Sequence, residues 1–344
     1  MTAPPSAIRA GRVLGRLAPG AALFLLAPIL GELVSGHQAP LEFANPISWL
    51  LTAAPYGLGA LAAREFVARW GKGWWSLLAL GVAYGLLEEG VVARSIFDGH
   101  WSELGSLAGY DFVGGVNWTF AEALLHFHAT ISILASVAIV GLVYPSRRRD
   151  SWISTRTLAL CLVGLALWTP TLVGVQALVN DPEWPVLVPP IGLYLGTIAA
   201  IGALVILARI LPDALPRENV RVARPLAFGL VGFLSTSIVF VVVFAVPESE
   251  SRPPLAFSVA AVAVVDAVAI ALLSRWSGRF RAWGDAHAFA LTAGHVAFYV
   301  VFGALADLAD GFRGKSIVSI ATTYLLWLLW RRVRARPVAP FVAP

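Results

Sequence analysis

The stretch Tyr84–Asp98 reads YGLLEEGVVARSIFD and decides the fold, because it sets Glu88, Glu89 and Arg94 inside a long apolar run. A run of about 20 such residues crosses the hydrocarbon core of a bilayer as a helix. The same texture extends in both directions. Of the 344 residues 58% are hydrophobic and 13% are charged, and the mean hydropathy is +0.77. Soluble domains carry about 25% charged residues, and a transmembrane barrel shows short alternating segments instead of unbroken apolar runs. The composition predicts an all-α, polytopic integral membrane protein whose constant partner is the lipid bilayer.

Hydropathy predicts ten spans, near 17–36, 46–66, 74–97, 117–144, 157–179, 186–211, 225–246, 254–274, 283–306 and 316–330. They make a single membrane domain over 1–344, with 331–344 as a basic, Pro-rich tail. With the N-terminus inside, all of the 25 basic residues except Arg94, Arg252, Arg313 and Lys315 fall in cytoplasmic segments. That bias follows the positive-inside rule. Both termini are therefore expected in the cytoplasm, and the expected location is a bacterial cytoplasmic membrane. The same bias excludes nucleic acid as a partner, since the pI of about 9.7 reflects charge spread over topological loops. Arg9–Arg16 ahead of an apolar core resembles a secretory leader. Glu32 interrupts its far end and no small-x-small site follows, so the segment is read as a span. The single cysteine, Cys161, excludes an intrachain disulfide and a cysteine metal cage.

Ionisable groups at membrane depth cost roughly 2.5–3.5 kcal/mol each on insertion scales, so they tend to face a bundle interior and mark function. Glu32, Glu88, Glu89, Glu122, Asp266, His126, His128 and His295 qualify. Glu65 and His287 lie nearer the span ends. At about 1.5 Å per residue, Glu89 lies about 12 Å, the three histidines about 14–17 Å and Asp266 about 18 Å below the outer boundary. Glu32 and Glu122 come out shallower, at about 6–8 Å. A single polar chamber opening outward could hold them all. Helical phase puts Glu122 and His126 on one face (i, i+4) and separates His126 from His128 by about 200°. Glu88 and Glu89 differ by about 100°. The preferred set is Glu89, Glu122 and His126. The connection Asp98–Val116, with five glycines among acids and aromatics, reads equally as a lid over the chamber or as an inert surface loop.

A carboxylate beside a histidine in such a chamber can activate water as a general base. Here EEGVVAR resembles the EExxxR motif of the CAAX-protease and bacteriocin-processing (Abi) family of glutamate-dependent intramembrane peptidases. The resemblance implies a membrane-embedded hydrolase with Glu88 and Glu89 as the paired glutamates and Arg94 as the arginine. His126 or His128 would be the first downstream histidine. Four residues rather than three separate Glu89 from Arg94, and the family's FxxxH and HxxxN patterns have no counterpart. The catalytic candidates are thus Glu88, Glu89, Glu122, His126 and His128, while Arg94, Glu32, Asp266 and His295 are candidates for a substrate or proton site. No cofactor is firmly implied. A metal variant, ranked below the metal-free one, puts zinc on Glu122, His126 and one glutamate of the third span.

Two other readings stand beside the hydrolase. Ten spans divide into five plus five of opposite orientation, as in inverted-repeat carriers, which pairs Glu88, Glu89 and the two early histidines with Asp266 and His295. That is the pattern of a proton-coupled transporter of a small molecule. A membrane scaffold without chemistry is the third reading.

Overall fold

The computed structural model describes residues 18–101, 104, 107, 112–179, 186–212, 222–245, 254–277, 283–310 and 314–336. Nearly everything described is helix. The first helix, α1, runs Pro19–Pro28 and continues as a π-helix over Ile29–Val34. A single turn, α2 (Pro40–Phe43), leads into α3 (Pro46–Trp70). Next come α4 (Trp74–Leu86, π-helical over Leu87–Val92) and a two-stranded hairpin, β1 (Phe112–Val113) and β2 (Val116–Asn117). The span α5 is α-helical over Trp118–Phe127, π-helical over His128–Ala135 and α-helical again over Ser136–Val143. Five long helices follow: α6 (Thr155–Val179), α7 (Ile191–Ile210), α8 (Pro225–Phe240, π-helical over Val241–Ala245), α9 (Leu255–Trp276) and α10 (Asp285–Asp310). The last is α11 (Lys315–Arg334).

Local sequence explains the boundaries. Asn45 and Asn117 cap α3 and α5, their side-chain oxygens accepting backbone N–H groups at Ile47 (2.9 Å) and Phe120 (3.0 Å), the bond that best satisfies a helix's orphan donors. Pro19, Pro46 and Pro225 occupy first helical positions, where the missing N–H costs nothing. Gly114 and Gly115 both take positive φ in the hairpin turn, as a two-residue primed turn requires.

Each of the ten predicted segments overlaps a helix, the first of them short (Pro19–Val34). Among the described residues seven helices are long and apolar enough to cross a membrane, and α1, α3 and α11 fall outside that set. Two ends differ from expectation. The third predicted span ends at Val92, not near residue 97, because Arg94 adopts a left-handed φ of 64° and Ser95–Phe97 form a 3-10 turn. The expected tail begins later, since α11 carries Arg331, Arg332 and Arg334 in its last turn; residues 337–344 lie outside the described ones. So do Arg9, Arg12 and Arg16, and most of the connection between Trp101 and Phe112 that reads as lid or loop.

α4 and α5 are the most enclosed of the apolar spans, whereas α6, α7 and α9 expose most of their surface. Without a hydrophobic drive between helices in lipid, small residues that admit close backbone approach hold a bundle together. α8 and α10 form such a seam: a Cβ added at Gly294 would fall 2.1 Å from the carbonyl oxygen of Gly229, and one at Gly232 would fall 2.6 Å from that of Leu291. One end of the bundle is latched by charge. Asp285 receives two hydrogen bonds from Arg148 (2.7 and 2.8 Å) and one from Arg336 (2.8 Å). Glu65, fully buried, accepts from Arg64 (2.5 Å), Arg69 (3.2 Å) and the Trp152 backbone N–H (2.7 Å). Glu65 is thus a structural latch, in keeping with its place near a span end.

Candidate functional site

Both central helices change from α to π winding where the polar residues sit: α4 at Leu87 and α5 at His128. π-Turns inside α-helices recur at functional sites, because the wider turn rotates the following side chains out of register. The π-segment of α5 packs on the α-helical part of α4, and the side chains of Glu88, Glu89 and His128 meet where the two windings change. His128 is fully buried, its Nε2 lying 2.7 Å from Glu89 Oε1 and 3.6 Å from Glu88 Oε2. Its Nδ1 lies 3.1 Å from Ser132 Oγ, one π-turn on. The Ser95 hydroxyl donates to the other oxygen of Glu89. With Nε2–H given to Glu89, Nδ1 accepts the Ser132 hydroxyl, so every polar atom of the imidazole is used. The rings of Tyr84 and Tyr56 flank it at 5.4 and 5.7 Å between centroids. Gly59 makes room for the Tyr84 ring, whose carbon comes within 2.2 Å of where a Cβ would stand. The Tyr84 hydroxyl is buried with no hydrogen-bond partner among the described residues.

His126 belongs to a different group. Its Nδ1 lies 2.7 Å from Asp266 Oδ1 on α9, and its Nε2 lies 3.5 Å from Thr236 Oγ1 on α8. Thr236 Oγ1 is 2.8 Å from His295 Nδ1 on α10. A cavity of about 280 Å³ is lined by Glu122, His126, Asp266 and His295 among apolar side chains. A second, of similar volume, touches His126 and Thr236 from the side of His37 and Phe244.

The expected single chamber is therefore two sites, on either side of α5. Glu89 meets His128 and not His126, and Glu122 stays with His126, so the preferred set Glu89, Glu122 and His126 is divided. The phase argument that kept the two histidines apart agrees with this division. The zinc set of Glu122, His126 and a third-span glutamate is not assembled. Among the described residues the group whose ligand atoms all lie within 4.8 Å of one another is Glu88, Glu89 and His128. Two ligands about 2.0–2.1 Å from one zinc in tetrahedral array stand about 3.3 Å apart. The 2.7 Å contact between Glu89 and His128 is instead a direct hydrogen bond that a cation would have to part. Glu32 lies on the π-segment of α1, within electrostatic reach of Tyr56, Tyr84 and Lys315.

Arg94 departs furthest from expectation. It turns away from the carboxylates and donates to Gln176 Oε1 (2.5 Å) and to the Leu187 carbonyl (2.9 Å), tying the end of α4 to α6 and to the segment before α7. Hydrogen bonds from charged groups are worth about 1.5–3 kcal/mol each. Arg94→Ala is accordingly expected to raise amide exchange around Gln176 and Leu187 and to lower the melting temperature in detergent. Any enzymatic rate per folded molecule should stay unchanged. Loss of rate with unchanged exchange would instead return Arg94 to the chemistry.

Sequence reasoning passed over Tyr56, Tyr84, Ser95, Ser132, Thr236 and Gln176, none of which is charged. The one signal available was the placing of hydroxyl residues close in sequence to the histidines and glutamates, Ser132 four residues after His128 and Ser95 six after Glu89.

Fold and site together define a helical polytopic membrane protein with a buried carboxylate–imidazole centre. The chain belongs to the uncharacterized membrane protein family whose family model matches residues 22–342. No curated protein and no solved structure matches it. The family match supports the membrane class and lends nothing to the CAAX-protease resemblance, which is left on Glu88 and Glu89 now that Arg94 points elsewhere.

Proposed function

We propose that the protein is a membrane-embedded hydrolase that cleaves a membrane-embedded peptide at the Glu88–Glu89–His128 centre, without a resident metal. The observation that carries this reading is the convergence of two adjacent carboxylates on one fully buried imidazole, an expensive arrangement to maintain for packing alone. Glu89 has both oxygens engaged, by His128 and Ser95, and acts as the positioning group. Glu88 is the more exposed of the pair and acts as general base. It takes a proton from water, the resulting hydroxide oxygen bonds to the scissile carbonyl carbon, and the C–N bond breaks as Glu88 returns the proton to the leaving amine. The unpartnered Tyr84 hydroxyl donates to the developing oxyanion, in the role such preorganised donors fill. The expected orientation, with both termini cytoplasmic, puts this centre in the outer half of the membrane.

The test compares the membrane peptides of cells producing wild type with those of cells producing Glu88→Gln at matched abundance. New peptide termini confined to wild type support the reading; identical termini in both overturn it.

Proton-coupled transport is the second reading. It is favoured by the chain Asp266–His126–Thr236–His295, which stands between the two cavities. The inverted-repeat form of that reading would make the α8–α10 seam equivalent to an α3–α5 seam, and α3 and α5 make only limited contact. Proton uptake by proteoliposomes that is lost in Asp266→Asn and kept in Glu88→Gln would favour transport.

A further inference from the structure

We infer that the cleft between α4 and α9 is a binding site for a bilayer amphiphile with a primary ammonium head group. α9 packs on α8 and on the first part of α5 and otherwise faces outward. The result is a cavity of about 280 Å³ with Leu78 and Val82 of α4 on one wall and Ile270 and Leu273 of α9 on the other, its lining completed by α5, α8 and α10. That volume is close to the lower bound of small-molecule pockets, about 300 Å³, and most of its lining is hydrocarbon.

Two carboxylates interrupt that lining. Glu122 and Asp266 both line the cavity, and one oxygen of Glu122 is buried with no hydrogen-bond partner among the described residues. A single imidazole, His126, serves Asp266. Its other nitrogen faces Thr236, which is itself engaged by His295. Of the two carboxylates, Glu122 has an oxygen left without a partner among the described residues and Asp266 is met by a single imidazole, so the pair is short of positive charge. A primary ammonium supplies both, as a compact charge with three N–H groups and no acceptor. A phosphate-bearing head group would bring an anion against Glu122 and Asp266. A fully polar cation would leave the hydrocarbon walls unmatched. An alkyl ammonium satisfies the head and the walls together, and reaches the cleft sideways from the bilayer.

The inference is independent of the hydrolytic centre across α5, and its test reads binding. Full-length protein in phosphatidylcholine nanodiscs is photolabelled with a diazirine-bearing long-chain primary amine, its alcohol counterpart and its trimethylammonium counterpart. The labelled peptides are then mapped. The amine should label α4 and α9 at least tenfold more than either counterpart at equal concentration. The double variant Glu122→Gln, Asp266→Asn should bring amine labelling down to the alcohol level while alcohol labelling stays unchanged, which shows the cleft intact. Equal labelling by amine and alcohol in wild type would make the cleft a plain hydrocarbon crevice and overturn the inference. So would equal labelling by the trimethyl compound, amine labelling that survives the double variant, or labelling mapped elsewhere.

Discussion

Glu88→Gln should lower the rate of peptide hydrolysis by about 10²–10⁴-fold, the usual contribution of a positioned general base, with KM unchanged. The amide keeps the size of the carboxylate and cannot take a proton from water, so the loss falls on the chemical step. Tyr84→Phe should cost about 10²–10³-fold in kcat if its hydroxyl serves the oxyanion, and folding should barely change because that hydroxyl has no partner to lose among the described residues. Glu89→Ala is expected to behave differently. It strips partners from His128 Nε2 and from the Ser95 hydroxyl, each buried, and an orphaned buried polar group costs about 1–3 kcal/mol. Both activity and melting temperature should fall, whereas Glu88→Gln, whose amide can keep a hydrogen bond to Glu89, should lower the melting temperature less. Equal effects of the two variants on stability would deny the division of labour between base and positioning group.

Gly294→Leu should prevent stable folding, and Gly294→Ala should lower stability by about 3 kcal/mol, the upper end of the usual range for overpacking. The obstacle is backbone. The new Cβ would stand 2.1 Å from the Gly229 carbonyl oxygen and 2.9 Å from its carbonyl carbon, and no rotamer change relieves that. α8 and α10 would have to part along the most extensive helix–helix contact among the described residues. His295 follows Gly294 directly, so the same displacement pulls it from Thr236. Gly174→Ala and Gly192→Ala are the controls: a Cβ at either meets nothing within 4 Å, and surface changes of this kind stay within about 0.5 kcal/mol. Thermal melts of the purified protein in detergent, read by gel filtration, separate the two outcomes. Similar melting of Gly294→Ala and the controls would mean that the seam is looser than described.

The helices were legible because each long apolar run must satisfy its backbone internally in a bilayer, and that constraint is written in composition. The identity of the polar residues was legible for the same reason, since a charge at depth stands out against leucine and valine. Their grouping was only partly legible. Depth arithmetic puts Glu89, His126, His128, Asp266 and His295 at similar heights but says nothing of azimuth, so two sites on opposite sides of α5 merged into one chamber. The spacing of two between His126 and His128 already held the correction. The π-segments at Leu87 and His128 had no counterpart in the reading, because hydropathy is blind to one residue of extra winding. The partners of Arg94 were not legible, because a non-glycine residue at positive φ is uncommon and nothing in VVARSIF announces one. Tyr84 opens the very stretch that decided the fold and was passed over, since an uncharged phenol at depth needs no special reason.

The central claim is that water is split and added to a peptide bond at Glu88–Glu89–His128. Purified protein in proteoliposomes, given membrane peptides in water enriched in oxygen-18, tests it most directly by mass spectrometry of the products. Wild type is expected to yield new carboxyl termini carrying the label, and Glu88→Gln and His128→Ala to yield none above background. Labelled termini in equal amount from wild type and Glu88→Gln, or no labelled terminus from wild type under conditions where it moves protons across the membrane, would contradict the account.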